Sequence, residues 1–470
     1  MRIETVDSII AFLSARRMNA ARVLFVAEFG KIFFRFASNI VLTRLLFPEA
    51  FTIMVLVGAA IMIVEFLTET GIGHYMVRQE DAFKRDHQDA IWTLLLMRGT
   101  VITAILFFSA PIMGWVYGVP ELVAPLQVTS IYALLQGACS LRMRYFQRTG
   151  REGYNAIVEM GAYLVQLATM LGLAAWGHHL HTPDQMPQLA EFLYSHWPLV
   201  LGGVVFATVR LIASYVLYPD PWHKLRLDKE AYRRLWQFSR FFLMSSMITL
   251  AIKQFDKIYL PRMVGLSDFA LYALAFMIVL AFETVIDQYY TRVYYSNISK
   301  RMRDGESGPD VYYGCQWRPR LALVFICAGG VFGGKALFEV LYDERYLGAG
   351  VFFGALVIKC ILKVWSQGAE SYLLSANKPH AKLVAEVLRL VWVVPGIMTG
   401  FHFFGLFGAA LGFALIDILV IPYYYFLLWR LKTLRLWDEI LTIAAMAAGI
   451  LAGYFGLQLY NATIAQYFVG

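Results

Sequence analysis

Charged and polar side chains recur at helical spacing inside long apolar stretches of this sequence. One helical face of the first stretch carries Glu28, Lys31, Arg35 and Asn39. A charged side chain within a membrane span costs several kcal/mol, so it normally faces a cavity or a partner of opposite charge. Lys and Arg hold phosphate oxygens through charge-assisted hydrogen bonds where water is scarce. The stripe therefore predicts a cationic cleft, which would suit a substrate that bears phosphate groups.

Similar stripes occupy other apolar stretches, and we predict that they line one cleft between two lobes. The candidate substrate-binding cations are Lys31, Arg35, Lys253, Lys257, Lys359 and Lys363. The candidate carboxylates, with a role in coupling or in stability, are Glu28, Glu65, Glu69, Asp256, Glu283, Asp287 and Glu370. The polar residues Ser246, Thr249 and Ser366 extend the stripes. None of these patterns predicts a catalytic residue.

Salt bridges are an alternative interpretation of two pairs. Arg35 and Glu65 fall at similar depth on adjacent predicted helices, and so do Lys253 and Glu283. Each pair could tie its helical hairpin together instead of binding substrate. Lys31 has no such partner across the hairpin, which favours a substrate role for it.

The composition requires lipid as solvent. The chain has 470 residues, of which 59% are hydrophobic and only 16% are charged, and soluble cores cannot bury so much apolar surface. The net charge of +8 comes from Lys and Arg in short connections between apolar runs. Membrane topology explains this distribution better than nucleic-acid binding does.

Apolar stretches long enough to cross roughly 30 Å of hydrocarbon recur along almost the whole chain. They predict an all-α polytopic membrane protein with spans at residues 20–46, 50–76, 89–118, 120–143, 154–177, 196–218, 234–262, 268–295, 319–343, 349–376, 380–403, 406–430 and 440–461. The predicted parts are an amphipathic cytoplasmic lead-in (1–19), an N-lobe of six helices (20–218), a cytoplasmic linker (219–233), a C-lobe of six helices (234–430) and an extension with a thirteenth helix (431–470).

Basic residues alternate between the connections. If the N-terminus is cytoplasmic, the inside loops are those around Lys84, Arg148, Arg226 and Arg303, whereas the longest outside loop, residues 178–195, has no Lys or Arg. Positive loops favour the cytoplasmic side. We therefore predict a multi-pass membrane protein with a cytoplasmic N-terminus.

Few residues suggest a metal or a cofactor. The outside loop carries His178, His179, His181 and Asp184, which we interpret as solvated because a short loop seldom supports a metal site. Four cysteines stand singly. The tyrosine tracts at residues 289–295 and 423–425 are interpreted as interfacial belts in preference to sugar-stacking surfaces. No cofactor is expected.

The first helical hairpin recurs about 218 positions later in the chain. The matched pairs are Arg22 with Arg240, Arg35 with Lys253, Arg44 with Arg262, Phe51 with Phe269, Glu65 with Glu283, and Glu69 with Asp287. Charges are scarce inside membranes, so these matches indicate an internal repeat. Because both hairpins begin on the same side, the repeat is parallel and its axis follows the membrane normal.

The amino-acid sequences of these hairpins resemble those of a known family. The segments are residues 39–51 (NIVLTRLLFPEAF), 67–73 (LTETGIG), 256–259 (DKIY), 271–275 (LYALA) and 405–412 (GLFGAALG). They resemble the bacterial polysaccharide transporter family, the O-antigen and exopolysaccharide flippases. That family belongs to the multidrug/oligosaccharidyl-lipid/polysaccharide flippase superfamily, which also holds the multidrug and toxin extruders.

The resemblance implies a two-lobed, V-shaped bundle of twelve core helices. Such a protein would lie in the bacterial inner membrane and move an undecaprenyl-diphosphate-linked oligosaccharide by alternating access. Separately from the resemblance, the candidate carboxylates and the membrane potential suggest coupling to protons, sodium or that potential. Its partners would be that glycan, membrane lipids and polysaccharide polymerase or export proteins.

Three other functions remain open. A lipid II flippase is chemically close to this family. A multidrug or cation antiporter would be expected to have an acidic cavity, so the Lys and Arg stripes argue against it. A glycan polymerase or ligase usually has a large external loop, and this chain offers only residues 178–195.

The topology can be tested with cysteine accessibility. We expect an Arg148→Cys protein to resist an impermeant thiol reagent in intact cells, because positive loops stay in the cytoplasm, and a cysteine at His181 to react. Labelling of position 148 in intact cells would reverse the predicted orientation.

Overall fold

The computed structural model describes residues 20–68, 85–148, 152–181, 192–218, 222–342 and 344–463. These residues are almost entirely helical, and no β-strand occurs among them. The predicted all-α fold is therefore confirmed. The chain divides into two compact units, Met1–Leu250 and Ala251–Gly470.

The first unit is a bundle of packed helices. Its helices are α1 (Ala20–Leu45), α2 (Pro48–Leu67), α3 (Arg85–Tyr117), α4 (Val123–Ala138), α5 (Arg142–Arg148), α6 (Glu152–His181), α7 (Trp197–Val216) and the beginning of α8 (Lys229–Val264). Pro48 begins α2, where the fixed φ of proline suits the first helical position. α6 packs against α1 and α7, and α4 packs against α3 and α7.

The second unit is arranged around one central helix. Its helices after α8 are α9 (Leu266–Gln288), a π-helical turn (Tyr289–Tyr294), α10 (Tyr295–Arg303), α11 (Pro309–Gly314), α12 (Trp317–Leu341), α13 (Ala349–Ser375), α14 (Pro379–Ala414), α15 (Val420–Arg430) and α16 (Leu436–Thr463). The central helix is α13, which packs against α9, α12, α14 and α15. Residues on α9, α12, α14 and α15 can therefore all reach side chains of α13.

A helix lies at each of the thirteen predicted spans. Within the described ranges, nine helical segments are long and apolar enough to cross a membrane. α1 and α8 carry several charged residues, and α4 has only 16 residues. The multi-pass membrane fold is thus established, whereas the count of twelve helices plus one stays a prediction.

A sharp turn divides α14 at the predicted Gly405 hairpin. Phe404 and Gly405 leave the helical conformation, and Gly405 has a φ of 59°, which glycine adopts without strain. After this turn the chain packs back on itself. A Cβ on Gly408 would lie 2.0 Å from the carbonyl oxygen of Gly400, so the two halves approach more closely than side chains would permit.

The last helix, α16, packs along α12 through small residues. A Cβ on Gly449 would lie 2.4 Å from the carbonyl oxygen of Phe325, and a Cβ on Gly453 would lie 2.3 Å from that of Gly329. Gly449 and Gly453 form a G-x-x-x-G spacing, which brings helix backbones together in membranes. The predicted thirteenth helix is therefore an integral part of the second unit.

A buried ion pair fixes the beginning of α16. The Arg320 guanidinium, in a residue only 1% exposed, donates two hydrogen bonds to the Glu439 carboxylate, at 2.9 and 2.6 Å. The hydroxyls of Tyr313 and Tyr425 donate to the same carboxylate at 2.7 and 2.8 Å. Trp365 Nε1 donates to it at 3.2 Å. The carboxylate is therefore held from α11, α12, α13 and α15.

We expect Arg320→Met to lower the melting temperature of the purified protein, because it leaves the Glu439 carboxylate buried without its cation, at a cost of about 3–5 kcal/mol. The double variant Arg320→Met/Glu439→Gln should regain much of this loss, since the neutral amide accepts a hydrogen bond from one tyrosine hydroxyl and donates one to the other. Asp438→Ala is the control, because Asp438 forms no ion pair with the described residues. A double variant no more stable than Arg320→Met would contradict this account.

Candidate functional site

The α1 stripe in the first unit is part of an ion-pair cluster. Lys31 Nζ lies 3.4 Å from Glu159 Oε2 on α6, and Arg210 Nη2 of α7 lies 3.5 Å from Glu159 Oε1. Arg210 Nη1 also donates to Gln136 Oε1 at 2.6 Å. Lys31 therefore has a carboxylate partner on α6.

The structure does not support the salt-bridge interpretation of Arg35 with Glu65. Arg35 is exposed on α1 and forms no ion pair with the described carboxylates. On α2, the Glu65 carbonyl oxygen accepts a hydrogen bond from Arg98 Nη2 at 2.9 Å, and Thr68 Oγ1 accepts from Arg98 Nε at 3.3 Å. Arg98 therefore links α2 to α3, and Arg35 takes no part in these hydrogen bonds.

Two carboxylates of α9 face two lysines of α13 in the second unit. Lys359 Nζ lies 2.8 Å from Glu283 Oε1, and Lys363 Nζ lies 3.3 Å from Glu283 Oε2. Lys363 also donates to Asp287 Oδ2 at 2.7 Å, and Gln367 Nε2 donates to Asp287 Oδ1 at 3.3 Å. These four charged side chains form a neutral set, which we call the α9–α13 network.

Lys257 pairs with the residue that precedes it on α8, Asp256. Its ammonium is 3.2 Å from Asp256 Oδ1 and donates to the Lys253 carbonyl oxygen at 3.0 Å. The hydroxyl of Tyr272 donates to Asp256 Oδ2 at 2.7 Å. The Lys257 ammonium also lies 4.1 Å from the centre of the Phe276 ring, a cation–π distance. Lys257 is therefore satisfied from several sides.

Lys253 is placed differently from the other candidate cations of the second unit. Its side chain is exposed, and it forms no ion pair with Glu283 or with the other carboxylates of the described ranges. Glu283 contacts Lys359 and Lys363 instead. The salt-bridge interpretation of Lys253 with Glu283 therefore has no support, and the site role of Lys253 stays a prediction.

A third cluster surrounds Glu370 and contains residues that the sequence analysis missed. Lys382 Nζ lies 3.0 Å from Glu370 Oε1, and Arg389 Nη1 lies 3.8 Å from Glu370 Oε2. Arg389 Nε donates to Asp417 Oδ1 at 2.7 Å, and Ser366 Oγ donates to Asp417 Oδ2 at 2.7 Å. A charged residue within an apolar run is the sequence signal that could have identified Arg389 and Asp417. The same signal applies to Glu159, Arg210 and Arg320.

Three predicted positions lie outside what can be described. The side chains of Glu28 and Ser246 and the whole of Glu69 are outside the described residues, as are the side chains of Arg22 and Arg240 from the repeat. The predicted cleft between lobes and the role of all thirteen charged candidates therefore stay predictions.

The interfacial-belt interpretation is wrong for part of the tyrosine tracts. Tyr290, Tyr294 and Tyr424 are each 0% exposed. Tyr294 donates its hydroxyl to the Tyr312 carbonyl oxygen at 2.8 Å. Burial raises the pKa of Tyr312, which precedes α12, to about 12. These tyrosines pack inside the second unit, where the π-helical turn lets two of them face inward.

The paired Lys and Arg side chains of these clusters are held by carboxylates of the protein and not by water. In a low dielectric an ammonium group needs a carboxylate or an equivalent anion close by. A phosphate group of a substrate offers such an anion and could replace Glu283 or Asp287 beside Lys359 and Lys363. The α9–α13 network can therefore exchange one anionic partner for another.

The fold is one that solved membrane transporters share. The chain is similar over 95% of its length to the lipid II flippase MurJ in an inward closed conformation, with a TM-score of 0.69, 10% identity and 99% of that chain covered. It is also similar to an inward-facing multidrug resistance MATE family transporter of the MOP superfamily, with a TM-score of 0.57, 15% identity, and 95% and 100% of the two chains covered. The chain thus has the fold of the flippase and multidrug-transporter class.

Sequence comparisons identify the family. The family described as "Polysaccharide biosynthesis protein" matches residues 41–181 and 188–349. The teichuronic acid biosynthesis protein TuaB of Bacillus subtilis (strain 168) is 20% identical over 322 residues, which cover 67% of this chain and 62% of that relative. This chain belongs to the polysaccharide biosynthesis protein family, and the family resemblance of its hairpins is confirmed. The solved proteins with this fold are transporters and not enzymes.

The α9–α13 network can be tested by charge exchange. We expect Lys363→Asp to reduce the yield of folded protein, because it places a third carboxylate beside Glu283 and Asp287 and removes their shared cation, at a cost of about 3–5 kcal/mol. Lys363→Asp combined with Asp287→Lys restores a neutral set and should recover the yield, measured by size-exclusion chromatography.

Lys335→Asp is the matched control. It makes the same change on α12, where the Lys335 side chain is 59% exposed and, among the described residues, pairs only with Glu339 in the next turn. Exposed pairs contribute about 0–1 kcal/mol, so this variant should fold normally. Equal losses in Lys335→Asp and Lys363→Asp would argue against a special role for the network.

Proposed function

We propose that this protein is a flippase that moves an undecaprenyl-diphosphate-linked oligosaccharide from the cytoplasmic to the periplasmic leaflet of the bacterial inner membrane, for surface polysaccharide biosynthesis. The observation that carries the proposal is the match to the polysaccharide biosynthesis family over residues 41–181 and 188–349. The relative named for teichuronic acid biosynthesis agrees with a polysaccharide pathway. The transporter fold supplies the means of movement.

The charge networks support a substrate with a diphosphate. Lys359 and Lys363 are partly buried cations that a carboxylate pair holds in position. A diphosphate brings the same charge and better acceptor geometry, so it can take over these ammonium groups at little desolvation cost. Substrate would then bind by exchange, and Glu283 and Asp287 would recover the lysines after its release.

This exchange suggests how the empty transporter resets. Moving a dianionic headgroup outward through an inside-negative potential is favourable by about 2.3 kcal/mol per charge per 100 mV. The return step carries no substrate, and the restored pairing of Lys363 with Asp287 would favour it. A proton or sodium ion on these carboxylates is the alternative form of coupling, and membrane lipids and polymerase or export proteins are the proposed partners.

A lipid II flippase is the second candidate function. The likeness to MurJ favours it, although at 10% identity that likeness concerns the fold alone. Both substrates share the lipid diphosphate, so the discrimination must lie in the sugar and peptide parts. A multidrug or cation antiporter fits less well, because a cationic substrate would have to compete with Lys359 and Lys363 for the carboxylates Glu283 and Asp287.

The test is reconstitution of the purified protein in liposomes with fluorescent lipid-linked glycans. We expect translocation of oligosaccharide-bearing lipid above the level of empty vesicles. Lys363→Met should slow it about tenfold or more, because a charge-assisted hydrogen bond to the diphosphate contributes about 1.5–3 kcal/mol. Lys335→Met is the control and should keep the wild-type rate.

Three outcomes would contradict the proposal. Translocation of lipid II but not of oligosaccharide-bearing lipid would assign the second candidate function. Export of organic cations alone would assign an antiporter. Formation of a lengthened or transferred glycan from the lipid-linked substrate would assign an enzyme.

A further inference from the structure

An irregular segment just before α8 lies against the first unit with its large apolar side chains exposed. It consists of residues 222–228, which we call the pre-α8 segment. The exposed fractions are 68% for Trp222 and 74% for each of Leu225 and Leu227. Large apolar side chains that lie exposed next to one another mark a contact surface. The pre-α8 segment therefore has the composition of a surface that meets an apolar partner.

Hydrogen bonds hold the backbone of the pre-α8 segment against α3. The Lys224 N–H donates to Asp89 Oδ1 at 3.2 Å, and the Arg226 N–H donates to Thr93 Oγ1 at 2.9 Å. The Tyr232 hydroxyl of α8 donates to the Arg226 carbonyl oxygen at 3.1 Å. A backbone that is fixed in this way keeps its leucine side chains outside the protein. Their exposure is thus a property of the fold.

His223 is the inward-facing side chain of the segment. Its side chain is 2% exposed, and its Nδ1 lies 3.5 Å from Asp89 Oδ1. Its Nε2 accepts a hydrogen bond from the Leu141 N–H at 3.2 Å, and its ring stacks on that of Trp92. The four side chains that follow, residues 224–227, are all exposed. The segment therefore has one face anchored in the protein and one face turned outward.

The contacts of the pre-α8 segment lie at the ends of two membrane spans. The apolar span of α3 begins at His87, and Thr93 lies six residues further on, about 9 Å along the helix axis. The Trp222 ring lies 5.2 Å from the ring of Tyr215, one residue before the span of α7 ends at Val216. The headgroup layer of a bilayer is roughly 5–8 Å deep on each side of the hydrocarbon. The segment is therefore level with the lipid headgroups.

The charges of the segment favour an anionic surface. Lys224 and Arg226 are exposed between the apolar side chains, whereas Asp228 is the one carboxylate of the segment and is only partly exposed. Lys224 forms no ion pair with the carboxylates of the described ranges. Lys and Arg side chains lay their stems along apolar surface and extend their charged groups to the lipid phosphates. Trp and Leu beside Lys and Arg are the residues of segments that lie in the membrane interface.

We propose that the pre-α8 segment binds anionic phospholipids of the bilayer surface. Trp222, Leu225 and Leu227 enter the boundary between headgroups and acyl chains, and Lys224 reaches the lipid phosphates. Phosphatidylglycerol fits this surface better than phosphatidylcholine does, because its headgroup has a net negative charge. The predicted topology assigns the surface to the cytoplasmic leaflet. The inference does not depend on the proposed flippase function.

The experiment measures quenching of a fluorophore on the full chain in a neutral detergent. Leu227→Cys carries the fluorophore, and wild-type protein treated in the same way gives the background from its native cysteines. Phosphatidylglycerol with brominated acyl chains is the quencher, and brominated phosphatidylcholine is the comparison. We expect phosphatidylglycerol to quench at the lower concentration. Asp304→Cys is the control position, because Asp304 is exposed in a polar turn after α10 and should be quenched by aqueous iodide instead.

Lys224→Gln in the labelled protein should raise the phosphatidylglycerol concentration for half-maximal quenching about fivefold, which is the attraction that one basic residue adds near an anionic membrane. The backbone N–H that bonds Asp89 remains, so the segment keeps its position. Lys300→Gln is the matched control. It removes the same charge from an exposed position on α10, between Ser299 and Arg301, and should leave the quenching curve unchanged.

Four outcomes would overturn the proposal. Equal quenching by the two brominated lipids would remove the selectivity for an anionic headgroup, and equal effects of Lys224→Gln and Lys300→Gln would reduce it to overall charge. Stronger quenching of position 227 by iodide than by brominated lipid would place the segment in water. Farnesyl diphosphate that displaces the quencher better than unlabelled phosphatidylglycerol does would assign the segment to a diphosphate lipid.

Discussion

Pairing of desolvated charges is the constraint on which both units depend. An ammonium or guanidinium group within an apolar bundle is stable only with a carboxylate or another anion nearby. Glu283 meets this need for Lys359 and Lys363, and Glu439 meets it for Arg320. Each pair joins two helices that are separate in sequence. The helix arrangement therefore follows from where the charges find partners as well as from apolar packing.

The ion pairs differ in the number of hydrogen bonds that they receive and in how exposed they are. Glu439 receives hydrogen bonds from arginine, two tyrosines and a tryptophan, which suits a permanent contact at the start of α16. The α9–α13 network has fewer donors per carboxylate, and the Asp287 side chain is 43% exposed. A partly exposed pair can be opened by a competing anion at lower cost. Burial and the number of hydrogen bonds thus distinguish the Glu439 contact from the more open α9–α13 network.

Glycine contacts allow the apolar packing between these pairs. The two halves of α14 meet at Gly400 and Gly408, and α16 meets α12 at Gly453 and Gly329. No hydrophobic driving force brings helices together in lipid, because lipid tails are as apolar as the side chains. Helices in membranes therefore associate through close backbone contact and polar groups. The second unit uses both means, with glycines along the helix interfaces and ion pairs between neighbouring helices.

The sequence by itself determined the membrane class, the helix positions and the family. Apolar length and the turn at Gly405 are local properties, so they can be read from neighbouring residues. The partners of the charges were not accessible in this way. Arg35 and Glu65 were aligned by depth on adjacent helices, yet Lys31 pairs with Glu159, 128 positions away. Only the tertiary structure decided these contacts, because a side chain takes the nearest opposite charge in space, and helix rotation and packing set which one that is.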